Sequence, residues 1–289
     1  HVACLLGAAM LLAEHPPARG QVRFLFQPCE EGGDAEGKSG AVRMIEDGAM
    51  DGVDAVVGLH VTSDLDRGQV GFRVGPLMAA ADRFVATIRG RAAHAAYPHR
   101  GVDAIVLAAQ AILAMQTVVS RRLPPVEHGV VTVGLVRGGV RSNVVAEEVY
   151  MEGTIRSFTP EVREQLLAGL HDSCRIVEPL GGSYELALKE GFPVTYNDPD
   201  LTALVRAAAV DLLGEEQVRE VPPEMGAEDF SFLAQRAPGC YFYLGIRTPG
   251  QPPRRAHSPT FDVDEEALPV GAAVLAAAAL RYLASPEEG

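Results

Sequence analysis

Two adjacent carboxylates, Glu30 and Glu31, are the residues of this sequence best suited to chemistry. They follow the apolar stretch Val22–Phe26, which predicts a short buried strand, and precede Gly32 and Gly33, where a sharp turn is expected. Neighbouring side chains on extended backbone point in opposite directions, so one carboxylate can hold a cation while the other moves protons. A bare Glu-Glu pair is more often a solvated loop, so partners elsewhere must support the chemistry.

A histidine after the next predicted strand is the first such partner. A helix capped by Ser39 separates the acidic pair from the apolar stretch Val53–Leu59, and His60 follows directly. In an open α/β sheet, ligands bind beyond the carboxyl ends of the strands, where these groups would meet. His257, in a turn before the final helix, is a further candidate metal ligand. A single strand-end histidine is more often structural, so only the combination points to a metal site.

The composition is that of a globular protein and argues against nucleic-acid or membrane partners. The 289 residues are 47% hydrophobic, enough for the cores of two ordinary domains. With 25 basic and 38 acidic residues, the formal charge of -13 repels phosphate backbones and anionic lipids. We expect neither a membrane span nor a signal peptide. Four cysteines without CxxC spacing suit a reducing cytosol, so the expected location is cytoplasmic.

The middle of the sequence has a different order of elements from the two ends. Between Arg83 and Leu188 the pattern predicts strand, helix, strand, strand, helix and strand, the order of a ferredoxin-like α+β domain. The outer segments predict an α/β domain that this one interrupts. We therefore expect an α/β domain formed by residues 1–78 and 192–289, with residues 79–191 inserted as a separate lobe.

The inserted lobe contributes further polar side chains. His94 lies in a loop of small residues between a strand and a helix, where a ligand can approach the backbone. Asn143 follows a Gly-Gly turn and Arg156 lies near the end of a strand; these groups can bind an amide or a carboxylate. Each alone is more often a cap or a surface charge. In the last segment, the acids of Glu224–Phe230 precede a helix, whose dipole favours them whatever their function.

As an ordered set, these residues resemble the N-acyl-amino-acid amidohydrolases, which include hippurate hydrolase and the plant indole-acetyl-amino-acid hydrolases. The likeness covers essentially the whole sequence, and any one of its eight matches would be weak alone. The matching segments, in order, are His1–Ala9, Gln27–Gly33, Gly58–Val61, His94–His99, Ser142–Val145, Gly153–Phe158, Met225–Phe230 and His257–Pro259.

The resemblance implies a metal-dependent exopeptidase-like α/β catalytic domain with an inserted ferredoxin-like α+β lid domain. It implies an enzyme with two divalent metal ions, such as Zn, Mn, Co or Ni, that cleaves the amide of an N-acyl amino acid. Glu30 matches the general base of the family, which takes a proton from water and passes it to the leaving nitrogen. Glu31, His60 and His257 match metal ligands.

The resemblance also assigns roles to three residues of the lid. His94 matches a histidine that helps to polarise the scissile carbonyl. Asn143 and Arg156 match groups that hold the substrate, with Arg156 on its carboxylate. The same family likeness makes a homodimer or homotetramer through the lid domain an expectation.

One departure from the family pattern concerns its first metal motif, Cys-Gly-His-Asp-x-His. This sequence opens on what matches only the last histidine of that motif, His1, so we expect an N-terminally truncated chain. Glu31, His60 and His257 are too few ligands for two well-held metals. The 289 residues alone should therefore bind metal weakly and turn over slowly or not at all.

Two alternatives to the hydrolysis of hippurate-like or N-acetyl amino acids stay open. A metal-dependent dipeptidase would use the same groups, because peptide and N-acyl bonds differ only in what the acyl pocket admits. A noncatalytic relative with a degenerate metal site would have lost them. The sequence does not fix the acyl group, the amino acid or the metal.

Overall fold

The structure is a computed structural model that describes residues 1–284, and the chain forms two compact units. The first unit contains His1–Leu77, Thr195–Glu224 and the described residues from Glu228 onward. The second unit contains Met78–Val194 and the short segment Met225–Ala227. The role of the second unit as a lid stays a prediction.

The helices and strands are numbered in chain order. Within residues 1–284, the α-helices are α1 (Val2–Glu14), α2 (Gly40–Glu46), α3 (Ala104–Thr117), α4 (Pro160–Arg175), α5 (Pro199–Leu213), α6 (Phe230–Ala234) and α7 (Leu268–Ala284). The strands are β1 (Val56–Asp66), β2 (Val70–Phe72), β3 (Gly75–Met78), β4 (Ala80–Arg89), β5 (Ala93–His94), β6 (Gly129–Gly138), β7 (Val144–Val145), β8 (Glu148–Ser157), β9 (Ser183–Phe192), β10 (Thr195–Asn197), β11 (Val218–Glu220) and β12 (Gly239–Arg247).

The first unit is built on a four-stranded mixed sheet with the order β1-β12-β2-β11. β1 runs parallel to β12, and their register pairs His60 with Tyr243. β12 is antiparallel to β2, which is parallel to β11. Every residue of β12 from Gly239 to Ile246 is buried, as expected for a central strand covered on both faces.

Three helices of the first unit pack together, since α7 contacts both α1 and α5. The buried core of this unit includes Val205, Phe242, Leu244 and Val274. α5 begins at Pro199, where the Asp198 carboxylate accepts hydrogen bonds from first-turn N–H groups at 2.9 and 3.1 Å.

The stretch Val22–Phe26, predicted as a buried strand, is not a strand, and that prediction was wrong. Within residues 1–284, no backbone hydrogen bond joins this stretch to another segment, and Phe26 is 46% exposed. The Arg23 guanidinium donates to the carbonyls of Ala49 and Asp51 at 2.7 and 3.2 Å. An extended segment becomes a strand only when a neighbour pairs with its backbone, and apolar sequence cannot supply that neighbour.

A cavity of about 860 Å³ lies between this stretch and β1. Consecutive residues line both sides, Gln21–Gln27 on one and Val53–His60 on the other. Because successive side chains of extended backbone point to opposite faces, a lining of consecutive residues means that the backbone edges border the cavity. Leu5 of α1 and Leu275 of α7 add apolar walls. β1 is the outermost strand of its sheet, so no strand pairs with its outer edge within the described residues.

The second unit contains a four-stranded antiparallel sheet with the order β6-β8-β4-β9. Along the chain its elements follow as β4, α3, β6, β8, α4 and β9, which confirms the ferredoxin-like order predicted from the sequence. The two helices pack on the sheet over a core that includes Phe84, Ile88, Met151, Leu166 and Leu170. β5 and β7 form a separate two-stranded ribbon.

Two helical stretches, Ala104–Arg122 and Glu265–Ala284, are long and apolar enough to span a membrane by length and composition alone. Both pack within folded units: α3 contacts α4 and the sheet of the second unit, and α7 contacts α1 and α5 of the first. Core helices of a folded domain have the same composition, so these stretches are weak evidence for a membrane protein.

Candidate metal centre

Three carboxylates of the first unit lie close together. Oxygens of Glu30, Glu228 and Asp229 lie within 4.8 Å of one another, and this is the only such group of three or more His, Cys, Asp or Glu side chains among residues 1–284. Glu30 follows the extended stretch, whereas the other two precede α6. Glu228 is 5% exposed and Asp229 is fully buried. Two buried acids and one partly buried acid therefore share one place.

Asp229 is held by neutral donors. Nε2 of Gln27 donates to both carboxylate oxygens of Asp229, at 2.7 and 2.8 Å. The backbone N–H of Ala41, in the first turn of α2, donates to Oδ2 at 3.1 Å. The lone pairs of this carboxylate are therefore largely satisfied.

Glu228 is held in a similar way from the other side. The hydroxyl of Tyr241 on β12 donates to its Oε2 at 3.0 Å, and the backbone N–H of Phe230 donates to Oε1 at 3.3 Å. The Ser231 hydroxyl donates to the Glu228 carbonyl at 2.6 Å. Residues from β12 and α6 thus fix this side chain.

The environment raises the pKa of two of these acids. Burial raises the pKa of Glu30 first, and the charges of Asp229 and Glu31 add to the effect. Burial is also the main cause of the raised pKa of Glu228, with the charge of Glu30 as the next cause. A carboxyl whose pKa is moved towards neutrality is better suited to accept and return a proton.

Glu31 and His257 meet although they lie in distant parts of the sequence. Nδ1 of His257 lies 3.8 Å from Oε2 of Glu31, and both side chains are exposed, by 74% and 73%. His257 and Cys29 are the non-glycine residues with positive φ among residues 1–284, at 60° and 53°. Such backbone is uncommon outside glycine and is often found at functional sites.

His60 is held by hydrogen bonding within β1 and by contact with His1. Its Nδ1 donates to the Val61 carbonyl at 2.7 Å, which leaves Nε2 as the free ring nitrogen. Its ring centroid lies 4.6 Å from that of His1, whose Nε2 accepts from the Val61 N–H. Within residues 1–284, no hydrogen bond or ion pair joins His60 to Glu31 or His257.

The structure therefore brings some of the sequence-predicted residues together and leaves others apart. Glu31 contacts His257, whereas Glu30, Glu31 and His60 line the cavity. Sequence reasoning placed Glu228 and Asp229 in a segment that matches the family but gave them no role in the site, because acids at a helix N-terminus are favoured whatever their function. Two acids flanked by small and apolar residues, with no basic residue nearby, were the available signal.

The donor set fits a divalent cation. Carboxylate oxygens and imidazole nitrogens are ligands for Zn²⁺, Mn²⁺ and Co²⁺. No lysine or arginine among residues 1–284 forms an ion pair with Glu30, Glu228 or Asp229, so their buried charges lack a cationic partner in the protein. A bound cation would offset that charge.

The predicted residues of the second unit fall into two places. His94 on β5 pairs with Val144, and the N–H of Ala95 donates to the Asn143 carbonyl at 3.0 Å, so His94 and Asn143 are neighbours. Arg156 pairs with Val130 near the far end of β8. β6 ends opposite Val149, just before the Asn143 loop. Val149 and Arg156 are roughly 23 Å apart at about 3.3 Å per residue.

Comparison with known proteins identifies the family. Residues 1–281 match the profile of peptidase family M20/M25/M40. An N-acetyl-L-cysteine deacetylase of Bacillus subtilis is 41% identical over 100% of this chain and 67% of its own length. An IAA-amino acid hydrolase of Arabidopsis thaliana is 39% identical over 98% of this chain and 65% of its own length. The chain thus spans about two thirds of the length of these relatives.

Two solved structures support the same family. A dinuclear metal-binding peptidase of the M20 family from Bacillus subtilis superposes with a TM-score of 0.81 at 32% identity, covering 98% of this chain and 71% of that one. A crystal structure of an aminohydrolase from methicillin-resistant Staphylococcus aureus gives a TM-score of 0.81 at 32% identity, covering 89% of this chain and 65% of the other. The chain belongs to peptidase family M20/M25/M40, which confirms the predicted metal-dependent amidohydrolase class and its exopeptidase-like α/β fold.

Proposed function

We propose that this protein hydrolyses the amide bond of N-acyl amino acids, releasing a carboxylic acid and a free amino acid. The observation that carries the proposal is the placement of Glu30: a partly buried carboxyl with a raised pKa, in a cavity, within 4.8 Å of two further acids. A group of this kind can act as general base and then as general acid in one reaction.

Two divalent cations, Zn, Mn, Co or Ni, are the cofactors we propose, with Glu31, His60 and His257 among their ligands. When bound, they supply Lewis acidity that activates the amide carbonyl. The carboxyl of Glu30 takes a proton from the attacking water and returns it to the leaving nitrogen. The negative charge of Asp229 raises the pKa of Glu30 further than burial alone, which favours its protonated form after the first transfer.

The lid residues have proposed roles in holding the substrate. His94 helps to polarise the scissile carbonyl, and Asn143 holds the substrate by hydrogen bonds. Arg156 binds a carboxylate, because a guanidinium matches two carboxylate oxygens. Arg156 lies at the opposite end of β8 from the Asn143 loop, so we propose that Arg156 and the neighbours His94 and Asn143 act on different parts of the substrate or in different protomers.

We propose that the protein is cytoplasmic and associates through the second unit as a homodimer or homotetramer. Apolar side chains on α3 support this, since Val106 and Leu113 are 51% and 69% exposed. β6 is the outermost strand beside them and could pair with a second copy. Sedimentation of the wild type and of Leu113→Glu tests this, and an unchanged sedimentation coefficient in the variant would argue against the α3 interface.

The relatives support an acyl-amino-acid substrate through their names: an N-acetyl-L-cysteine deacetylase and an IAA-amino acid hydrolase. A dipeptidase is the second candidate, because relatives named carboxypeptidases, from Saccharolobus solfataricus, are 35% identical over 98% of this chain. A noncatalytic relative is the third.

The deciding experiment measures turnover by the whole protein loaded with Zn²⁺, Mn²⁺ or Co²⁺. The substrates are hippurate, N-acetyl amino acids, indole-acetyl amino acids and dipeptides, each at several concentrations. A kcat/KM for the N-acyl amino acids at least tenfold above that for the dipeptides supports the proposal. The reverse order favours a dipeptidase, and absence of turnover with bound metal favours the noncatalytic reading.

A further inference from the structure

Gln27 is a residue of the acidic loop to which neither the motif nor the proposed reaction gives a task. Its amide reaches across the first unit to Asp229, donating from Nε2 to both carboxylate oxygens at 2.7 and 2.8 Å. Asp229 is fully buried, and the N–H of Ala41 binds the same carboxylate at 3.1 Å. An anion held by three hydrogen bonds in a buried place has little freedom to move.

Asp229 lies next to Glu30 as well as to Gln27. The carboxylate oxygens of Asp229 and Glu30 are within 4.8 Å of each other. After burial, the charge of Asp229 is the largest cause of the raised pKa of Glu30. Asp229 therefore lies beside Glu30 while its own side chain is held by Gln27.

The loop from Gln27 to Glu30 has a second attachment, at α2. The N–H of Gly40 donates to the Cys29 carbonyl at 3.3 Å. A Cβ at Gly40 would lie 1.6 Å from the Pro28 carbonyl oxygen, so only glycine permits this approach. Gln27 and Gly40 thus fix the loop on both sides of Pro28, directly before Glu30.

We infer that Gln27 is a positioning residue for the general base: by clamping Asp229 with a neutral amide, it sets the place of the Glu30 carboxyl. The inference rests on the proposed function of Glu30. A lysine or arginine in the place of Gln27 would also hold Asp229, but it would cancel the negative charge beside Glu30. An amide holds the carboxylate and leaves that charge in place.

A purely structural pair and a positioning pair predict different kinetics. A structural pair lowers the amount of folded protein and leaves the kcat of the folded fraction unchanged. A positioning pair changes kcat at nearly constant KM, because the substrate is bound by other groups while proton transfer becomes inefficient. Outer hydrogen-bond partners of this kind typically change activity roughly 10- to 100-fold.

The test uses the whole protein, loaded with the metal that gives the highest turnover, and isosteric variants. Gln27→Glu and Asp229→Asn each remove the amide–carboxylate pair, whereas the double variant Gln27→Glu/Asp229→Asn restores it with the partners exchanged. Gln27→Leu removes the amide altogether. Gln116→Leu is the matched control, because the amide of Gln116 contacts only a carbonyl of its own helix, at 3.4 Å. Metal content and thermal midpoint are measured for every variant.

We expect each single variant to lose roughly 10- to 100-fold in kcat with KM within threefold of the wild type and with metal content unchanged. We expect the double variant to recover at least tenfold over the weaker single variant, and Gln116→Leu to match the wild type. Folded single variants with wild-type kcat, or loss of metal in step with activity, would overturn the inference. If Gln27→Leu fails to fold, the isosteric variants still decide.

A wild type that hydrolyses none of the amides would contradict the proposed function, and the inference would fall with it. An active wild type whose single variants keep full kcat would contradict the inference alone. The two failures are therefore distinguishable.

Discussion

The hydroxyl of Tyr241 donates a hydrogen bond to Oε2 of Glu228 at 3.0 Å in a place where both residues are buried. Tyr241→Phe removes this donor and leaves a buried carboxylate oxygen without it. We expect the variant to lose roughly 1–2 kcal/mol in the free energy of unfolding at pH 8. Urea unfolding measures this change. Tyr196→Phe is the control, because Tyr196 is 52% exposed; equal losses in the two variants would contradict the prediction.

The raised pKa values of Glu30 and Glu228 predict how the stability of the metal-free protein depends on pH. Both lie above the ordinary value of 4.5, so the folded state binds more protons than the unfolded state above that pH. Their contribution to stability is complete below pH 4.5 and is lost as the pH rises through the folded-state pKa values.

The variant Glu228→Gln isolates one of these contributions. It cannot ionise, so we expect its stability relative to the wild type to increase steadily from pH 5 to pH 8 in the presence of a chelator. Thermal melts at each pH measure the difference. A difference that stays constant or decreases with pH would show that the pKa of Glu228 is not raised in the folded protein.

Glu30→Gln tests the proposed base directly. The amide has the shape of the carboxyl but cannot accept and return the proton, so we expect turnover to fall by at least 100-fold. Metal content should stay near that of the wild type, because Glu30 is not among the proposed ligands. Metal analysis and steady-state rates on the same sample provide the measurement, and an unchanged rate would remove Glu30 from its role.

Gly40→Ala tests the close approach of α2 to the acidic loop. The added Cβ would meet the Pro28 carbonyl oxygen at 1.6 Å, so the helix and the loop must separate. We expect a loss of several kcal/mol in unfolding free energy together with a loss of kcat. Gly134→Ala is the control, since a Cβ there meets no atom within 4 Å. A stable and fully active Gly40→Ala protein would show that the loop can move freely.

In the second unit, Asp82 and Arg163 form a partly buried ion pair. Nε and one terminal nitrogen of Arg163 donate to Asp82 at 2.6 and 3.1 Å, and Asp82 is 6% exposed. Asp82→Asn leaves Arg163 with only the exposed carboxylate of Glu190, at 3.3 Å, so the variant should cost about 3 kcal/mol. Asp172→Asn breaks the pair with Arg122, in which both side chains are about half exposed, and should cost about 0–1 kcal/mol. Urea unfolding of both variants checks the ranking, which a larger loss for Asp172→Asn would reverse.

Elements with local end signals could be predicted from the sequence. The helix α5, Pro199–Leu213, has such signals at both ends, because Asp198 caps its first turn and Gly214 follows its last residue. The strand predicted at Val22–Phe26 was wrong, since apolar composition does not show whether a neighbouring strand is present. The residues that cap a helix lie next to its ends in the sequence, whereas the partner of a strand can lie anywhere in the chain.

The residues of the candidate site also differ in how far the sequence could identify them. Glu30 and Glu31 could be identified as candidates because two acids follow an apolar stretch and precede two glycines. The burial of Glu228 and Asp229 could not be predicted in this way. It depends on hydrogen bonds from Tyr241 and from Gln27, which belong to other elements of the fold. The metal-ligand roles of Glu31, His60 and His257 stay predictions.

Among residues 1–284, no strand pairs with the outer edge of β1, and this edge borders the cavity opposite residues 21–27. Unpaired peptide edges act as templates for intermolecular β-pairing, and apolar walls strengthen such contacts. A peptide segment that adds to this edge of β1 would shield its peptide groups from such intermolecular pairing.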